Sequence, residues 1–339
     1  MKRAYRVAIL MERSLAKSIL EGENYEFLKR FAEVNPIEEL PETMTREFMM
    51  EVLPGAQACI TCWRTPSFTD EMLEQLPDLR LIAHAAGSVL HLVPKSFWQS
   101  NRRITSNAPI IAQDVAQTVL AMILTSLKQM WTLAQATREG EWSGGEKSLF
   151  STYSLEGLNV GIVGASNVGK CVAEILRPFR CNLMVWDPYL CPIEAKMLDL
   201  KLVEDLDELI RASDVLTLHA PANPDCEKLL HSGNISLIRD GALLVNTARG
   251  LLVDEQALVE ELKKQRFTAC LDVTNPEPPS LDHPFRSLPN VILTPHVAGG
   301  HTVNCRKKMG ANTVKEVYNY LTKGLLSFNI IGEQLTHMA

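Results

Sequence analysis

From Leu158 onward the chain alternates short, β-branched apolar runs with stretches of helical periodicity. The runs are Asn159–Val163, Asn182–Trp186, Asp214–Leu218, Ala242–Asn246, Thr268–Val273 and Val291–Thr294, and they read as strands covered on both faces. Between them, Val168–Phe179, Ile193–Leu198, Leu206–Ala212, Ser236–Arg239 and Asp254–Lys264 have helical or turn character. Strands joined by such crossovers predict an α/β fold with a doubly wound parallel sheet of Rossmann type. The first hundred residues repeat the alternation more loosely. Strands are expected at Arg6–Leu10, Cys59–Thr61, Leu79–Ala83 and Arg103–Thr105, with a helix over Leu15–Phe31. That predicts a second, smaller α/β domain, flavodoxin-like in character. Ala112–Arg138 reads as one long amphipathic stretch, Gly140–Gly157 as irregular, and Thr302–Thr322 as helical. Long helices on either side of the larger domain would carry the chain out and back, which makes the smaller domain discontinuous. The expected division is 1–106, completed by 302–339, and 107–301.

Composition adds exclusions. The 339 residues are 46% apolar and 22% charged, an ordinary globular mixture. Lysine plus arginine number 34 against 40 acidic residues, for a net charge of −6. That balance gives no electrostatic footprint for nucleic acid or an anionic membrane. No apolar run approaches the roughly 18 residues that span a bilayer. The N-terminal MKRAYRVAILMER is broken at Glu12, too early for a signal peptide. A cytoplasmic protein is therefore expected, without nucleic-acid or membrane partners. Among eight cysteines, Cys59 and Cys62 form the one CxxC, within ACITCW, which reads as a strand rather than a redox helix start. No metal site is expected.

Candidate chemistry begins at Gly164-Ala165-Ser166-Asn167-Val168-Gly169, which follows an apolar strand and opens a helix. A pyrophosphate rests against free N–H groups at such a place. Gly164 supplies the tight turn and Gly169 the close helix–strand packing, while Ser166 stands where a second glycine is usual. Asp187, in MVWDPY, ends the next strand, where a carboxylate accepts from the adenosine ribose hydroxyls and repels a 2′-phosphate. NAD is thus favoured over NADP.

Arg249 in NTARG, Glu277 in LDVTNPEP and His296 in TPHVAGG each follow the carboxyl end of a successive expected strand, where open parallel sheets bind ligands. Histidine trades a proton near neutral pH, a carboxylate stabilises its charged form, and arginine offers a fork for a substrate carboxylate. Taken singly, each has an ordinary alternative: a backbone cap, a solvated loop residue, an ion pair.

In order and spacing, GASNVG with WDPY, NTARG, LDVTNPEP and TPHVAGG resemble the D-isomer-specific 2-hydroxyacid dehydrogenases, the family of glycerate and phosphoglycerate dehydrogenases. The resemblance implies hydride transfer between NAD(H) and a small D-2-hydroxy acid/2-keto acid. It implies His296 as acid/base, Glu277 as its partner and Arg249 as the group orienting the substrate. Thr247, Ala248 and Asp272 would line the nicotinamide, and His219 and Pro221 the adenosine side. The N–H groups of a loop at Ala85-Ala86-Gly87-Ser88 would hold the substrate carboxylate, and a homodimer would form through the cofactor domain with Gly140–Gly157 contributing. Arg64, in TCWRTP, would meet a second carboxylate or a phosphate on the substrate, or else be a solvated loop residue. Three departures stand out: Asn167 replaces a basic residue, Val89 an acidic one and Cys226 a threonine. Other readings on the same scaffold are an NAD-sensing corepressor-like binding protein and phosphite oxidation, whereas formate dehydrogenases pair the histidine with glutamine, against Glu277.

Overall fold

A computed structural model describes residues 5–142 and 152–332, so that 143–151, within the expected irregular segment 140–157, lie outside the described residues. The chain opens with strand β1 (Tyr5–Leu10), helices α1 (Arg13–Ile19) and α2 (Glu23–Phe31) and strand β2 (Ala32–Val34). One helix was expected over 15–31. Two form, because Gly22 takes a left-handed φ of +83° between them. There follow α3 (Arg46–Val52), β3 (Ala58–Thr61), α4 (Asp70–Glu74), β4 (Leu81–His84) and β5 (Arg103–Thr105). Thr45 and Thr69 start α3 and α4 by accepting the N–H groups of Phe48 and Met72.

The expected stretch 112–138 is likewise two helices, α5 (Ala108–Leu127) and α6 (Met130–Arg138), parted at Gln129 with φ +48°. Contrary to the sequence reading, α5 is long and apolar enough by length and composition to cross a membrane. Ala112, Val115, Ala116, Val119, Met122, Ile123 and Leu127 are buried within the protein, and buried Asp114 lies among them. A helix apolar on most sides is what a core position requires.

The larger unit then runs β6 (Asn159–Val163), α7 (Asn167–Leu176), β7 (Asn182–Trp186), α8 (Pro192–Met197), β8 (Lys201–Leu202), α9 (Leu206–Ala212) and β9 (Val215–Leu218). It continues through β10 (Leu243–Asn246), α10 (Glu255–Lys263), β11 (Thr268–Leu271) and β12 (Val291–Leu293). Helix α11 (Val303–Lys323) and strand β13 (Asn329–Ile330) close the described chain.

Two sheets result. The seven-stranded one has the order β12-β11-β10-β9-β6-β7-β8, every pairing parallel. Its first six strands in chain order follow the doubly wound Rossmann sequence, with the topological switch between β6 and β9. The other sheet has the order β13-β5-β4-β3-β1-β2. Its five leading strands follow the flavodoxin-like order with the switch between β1 and β3, and β13 joins β5 antiparallel. The described residues divide into two units, 5–111 with 300–332 and 112–299. The sequence reading had placed these limits after Ser106 and before Thr302.

In the smaller unit, Val7 and Ile9 of β1 pack with Ile19, Leu28, Met309 and Val317 on one face, while Ala8 and Leu10 meet Met49, Leu53 and Phe97 on the other. Cys59 belongs to one of these layers and Cys62 to the other. Burial pushes both thiols up, Cys62 to about 12. Two thiols on opposite faces of a sheet are packing groups. In the larger unit one apolar cluster joins Val163, Leu216, Leu218, Leu244 and Leu271 with Leu209, Leu258 and Leu262.

Candidate active site

At the β6/β9 switch the chain turns tightly. Gly164 has φ +95°, and a Cβ there would lie 2.7 Å from the Ala220 nitrogen. A Cβ on Gly169 would lie 2.1 Å from the Gly164 carbonyl oxygen. Both glycines are therefore required by close backbone approach. Ser166 caps α7, its hydroxyl accepting the Gly169 N–H at 3.4 Å. Among the described residues the amides of Asn167 and Val168, in the first turn of α7, meet no acceptor, as helix starts leave them. Asp187, just past β7, accepts the Ala165 N–H at 2.7 Å and the Tyr189 N–H at 2.8 Å. The acidic side chain thus ties the end of β7 to the phosphate loop.

Two buried polar atoms lie just beyond the next strands without a protein partner: Nδ1 of His219 after β9 and Oγ1 of Thr247 after β10. The other nitrogen of His219 is 2.8 Å from the Thr217 hydroxyl, and burial pushes the imidazole down to about 3, so it stays neutral. A buried polar atom left without a partner costs about 1–3 kcal/mol. Two of them at adjacent strand ends, with free helix amides and an acid on the flanking strand, fit a dinucleotide that brings its own donors and acceptors. Pro221 follows His219 in the same loop. Asn246 closes the 246–249 turn, accepting the Ala248 N–H at 3.0 Å and donating to the Arg249 carbonyl at 2.9 Å.

Arg249, Glu277 and His296 come together in this unit. The Nδ1 of His296 lies 2.6 Å from Oε1 of Glu277, with the two side chains 45% and 40% exposed. Arg249 is half-buried and donates to the Ala248 carbonyl at 2.7 Å. Burial lowers its guanidinium below the ordinary arginine value, and the nearby charge of Glu277 pulls the other way. Glu277 therefore touches the imidazole and acts on the guanidinium. Nε2 of His296 has no partner among the described residues.

Asp272 has a role that the sequence reading did not assign. It is buried at the end of β11, and its Oδ1 accepts the Thr294 hydroxyl at 2.5 Å and the Val297 N–H at 3.0 Å. Its Oδ2 accepts the Ala298 N–H at 2.9 Å, and its carbonyl accepts the His296 N–H at 2.8 Å. His296 is held at φ +53°, a conformation uncommon outside glycine, and these bonds keep it there.

In the smaller unit, Ala85–Ser88 follows β4. The Asn107 N–H donates to the Ala86 carbonyl at 2.9 Å, the Asn107 side chain to the His84 carbonyl at 3.1 Å, and the Ser106 hydroxyl to the Gly87 carbonyl. Among the described residues the amides of Ala86, Gly87 and Ser88 find no acceptor. His84 is buried against the Thr61 hydroxyl at 2.9 Å and burial pushes it down to about 3, a structural role. Arg64 has φ +64° and pairs with Glu12 at 2.9 Å, while Trp63 stacks on His301. Gln117 points into solvent. Glu12, Asn246 and Thr294 escaped the sequence reading. Each had one signal, a polar residue directly after an apolar run, which turns share.

The model of the D-isomer specific 2-hydroxyacid dehydrogenase NAD binding domain matches residues 120–298. The D-3-phosphoglycerate dehydrogenase of Methanocaldococcus jannaschii is 29% identical over 306 residues, covering 90% of this chain and 57% of that protein. The hydroxypyruvate reductase of Thermotoga maritima is 26% identical, covering 84% of this chain and 91% of that one. The chain thus spans little more than half the length of the phosphoglycerate dehydrogenases it matches, 57% and 53% for those of M. jannaschii and Archaeoglobus fulgidus. A Thermus thermophilus protein of solved structure superposes with a TM-score of 0.78 at 27% identity, covering 96% of this chain and 100% of its own.

Proposed function

The chain belongs to the D-isomer-specific 2-hydroxyacid dehydrogenase family and carries its NAD-binding domain, and from that premise we propose that it interconverts a small D-2-hydroxy acid and the corresponding 2-keto acid. The observation that carries this reading is the 2.6 Å contact between His296 Nδ1 and Glu277, with the charge of the same carboxylate acting on Arg249.

With Nδ1–H donating to Glu277, the lone pair of His296 sits on Nε2, the atom with no protein partner. Nε2 takes the hydroxyl proton in oxidation, and Glu277 offsets the positive charge that then forms on the ring. In reduction the same nitrogen returns the proton to the keto oxygen. Arg249 presents its fork to the substrate carboxylate and the C2 oxygen, and in the smaller unit the amides of 86–88 are free to act as carboxylate donors. Bound NAD supplies the acceptor for the C2 hydride and, once reduced, its donor. Asn167 and Val168 hold the pyrophosphate, Asp187 the ribose, and His219, Pro221, Thr247 and Ala248 the remaining surface. The protein works as a homodimer meeting through the cofactor-binding unit, a reading supported by Trp131 and Tyr153, which stand 59% and 51% exposed there.

A panel of 2-keto acids followed by NADH oxidation tests the proposal. His296→Ala is expected to lower kcat on the best substrate by roughly 10²–10⁴-fold while NADH binding persists. An unchanged kcat refutes the role. Tight NADH binding with no turnover across the panel favours a sensor instead.

A further inference from the structure

Resting on the dehydrogenase reading, we propose that Glu12 and Arg64 form a specificity device that disfavours keto acids carrying a second anionic group and admits those with an uncharged side chain. Open α/β sheets bind ligands beyond the carboxyl ends of their strands, at the switch point. In the smaller sheet that point lies between β1 and β3. Glu12 follows β1 and Arg64 follows β3, so the pair straddles it. Just past the next strand, β4, lie the unsatisfied amides of 86–88.

The ion pair is asymmetric. Oε2 of Glu12 lies 2.9 Å from Nη1 of Arg64, with the Glu12 side chain 7% exposed and that of Arg64 76%. A buried carboxylate needs its counter-charge, and removing one partner leaves an uncompensated ion. Arg64 is therefore committed to Glu12 although its side chain reaches into solvent. The turn that presents it is anchored as well: the Thr65 hydroxyl donates to the Leu10 carbonyl at 2.6 Å and accepts the Cys62 N–H at 3.0 Å. A phosphate or second carboxylate drawn to Arg64 would compete with Glu12 and meet its charge, and like charges brought together are a strong discriminator between ligands. Arg306, a guanidinium whose charge reaches Cys62, has its Nε on the Gly300 carbonyl at 3.0 Å.

The two kinds of relative name the contrast to test: hydroxypyruvate, with an uncharged side chain, and its 3-phosphorylated form. With NADH, the wild type is expected to show a kcat/KM for hydroxypyruvate at least about tenfold above that for 3-phosphohydroxypyruvate. Glu12→Gln is expected to narrow that ratio about tenfold or more, through KM of the phosphorylated substrate. Arg64→Met, a variant that does not depend on Glu12→Gln folding, is expected to leave the ratio no smaller than in the wild type. A wild type that prefers the phosphorylated substrate overturns the proposal, as does a preference for it that vanishes in Arg306→Ala. So does a folded, NADH-binding Glu12→Gln with an unmoved ratio, or a selective loss of phosphorylated turnover in Arg64→Met. Absence of turnover on every keto acid overturns the dehydrogenase reading itself, which distinguishes the two failures.

Discussion

Asp272 shows how much can rest on one carboxylate. It takes a hydroxyl and two amides on its side-chain oxygens and the His296 amide on its carbonyl. The imidazole is thereby fixed from β11, although it lies on the chain just past β12. Two other histidines are held in the opposite way, by burial. Unfolded, an imidazole takes a proton near pH 6.5; folded, His84 and His219 stay neutral down to about 3. Between those limits the unfolded chain binds more protons, so stability falls as pH drops through that window. Each imidazole contributes a slope of up to about 1.4 kcal/mol per pH unit. His84→Gln is expected to lose less of its urea midpoint than the wild type between about pH 5.5 and 4.5, and parallel losses would refute this. At this scale the sequence disclosed the trio and Asp187, because each follows an apolar strand and carries chemistry a turn does not need. It hid Glu12 and Thr294, whose importance lies in what they touch across the fold.

Elements were legible in proportion to their burial. The six apolar runs of the larger unit became β6, β7, β9, β10, β11 and β12 almost residue for residue, since buried parallel strands show as continuous β-branched stretches. Two-residue β8 and β13 carry too few side chains to leave a pattern, and three-residue β2 is broken by the exposed Glu33. The breaks at Gly22 and Gln129 were missed because helical periodicity runs on across both. Gly310 left no sequence signal either. It lies within α11, and a Cβ there would sit 1.8 Å from the Ile19 carbonyl oxygen and 2.7 Å from Nδ2 of Asn24. Backbone cannot yield as a flexible side chain can, so Gly310→Ala is expected to destabilise the protein by about 1–3 kcal/mol. A urea midpoint equal to the wild type's would show that α11 can shift.

For the molecule as a whole, the orphaned atoms at His219 and Thr247 make the larger unit the one that a dinucleotide stabilises. NADH at a hundred times its Kd is expected to add about 2.7 kcal/mol, with hydrogen exchange slowed at 164–169, 219–221 and 246–249. An unaltered exchange pattern there would place the cofactor elsewhere. The smaller unit raises a different matter, that of timing during synthesis. Its strands β1 to β5 leave the ribosome well before α11, yet Cys305, Met309, Val314 and Val317 of α11 complete the cover of the apolar face holding Val7, Ile9 and Ile60. The 188 residues from 112 to 299 must be translated in between, which takes roughly 10–40 s at ordinary elongation rates. For that interval α1 and α2 cover this side of the early sheet without α11, so the nascent chain offers chaperones a sticky strip that the finished protein no longer has.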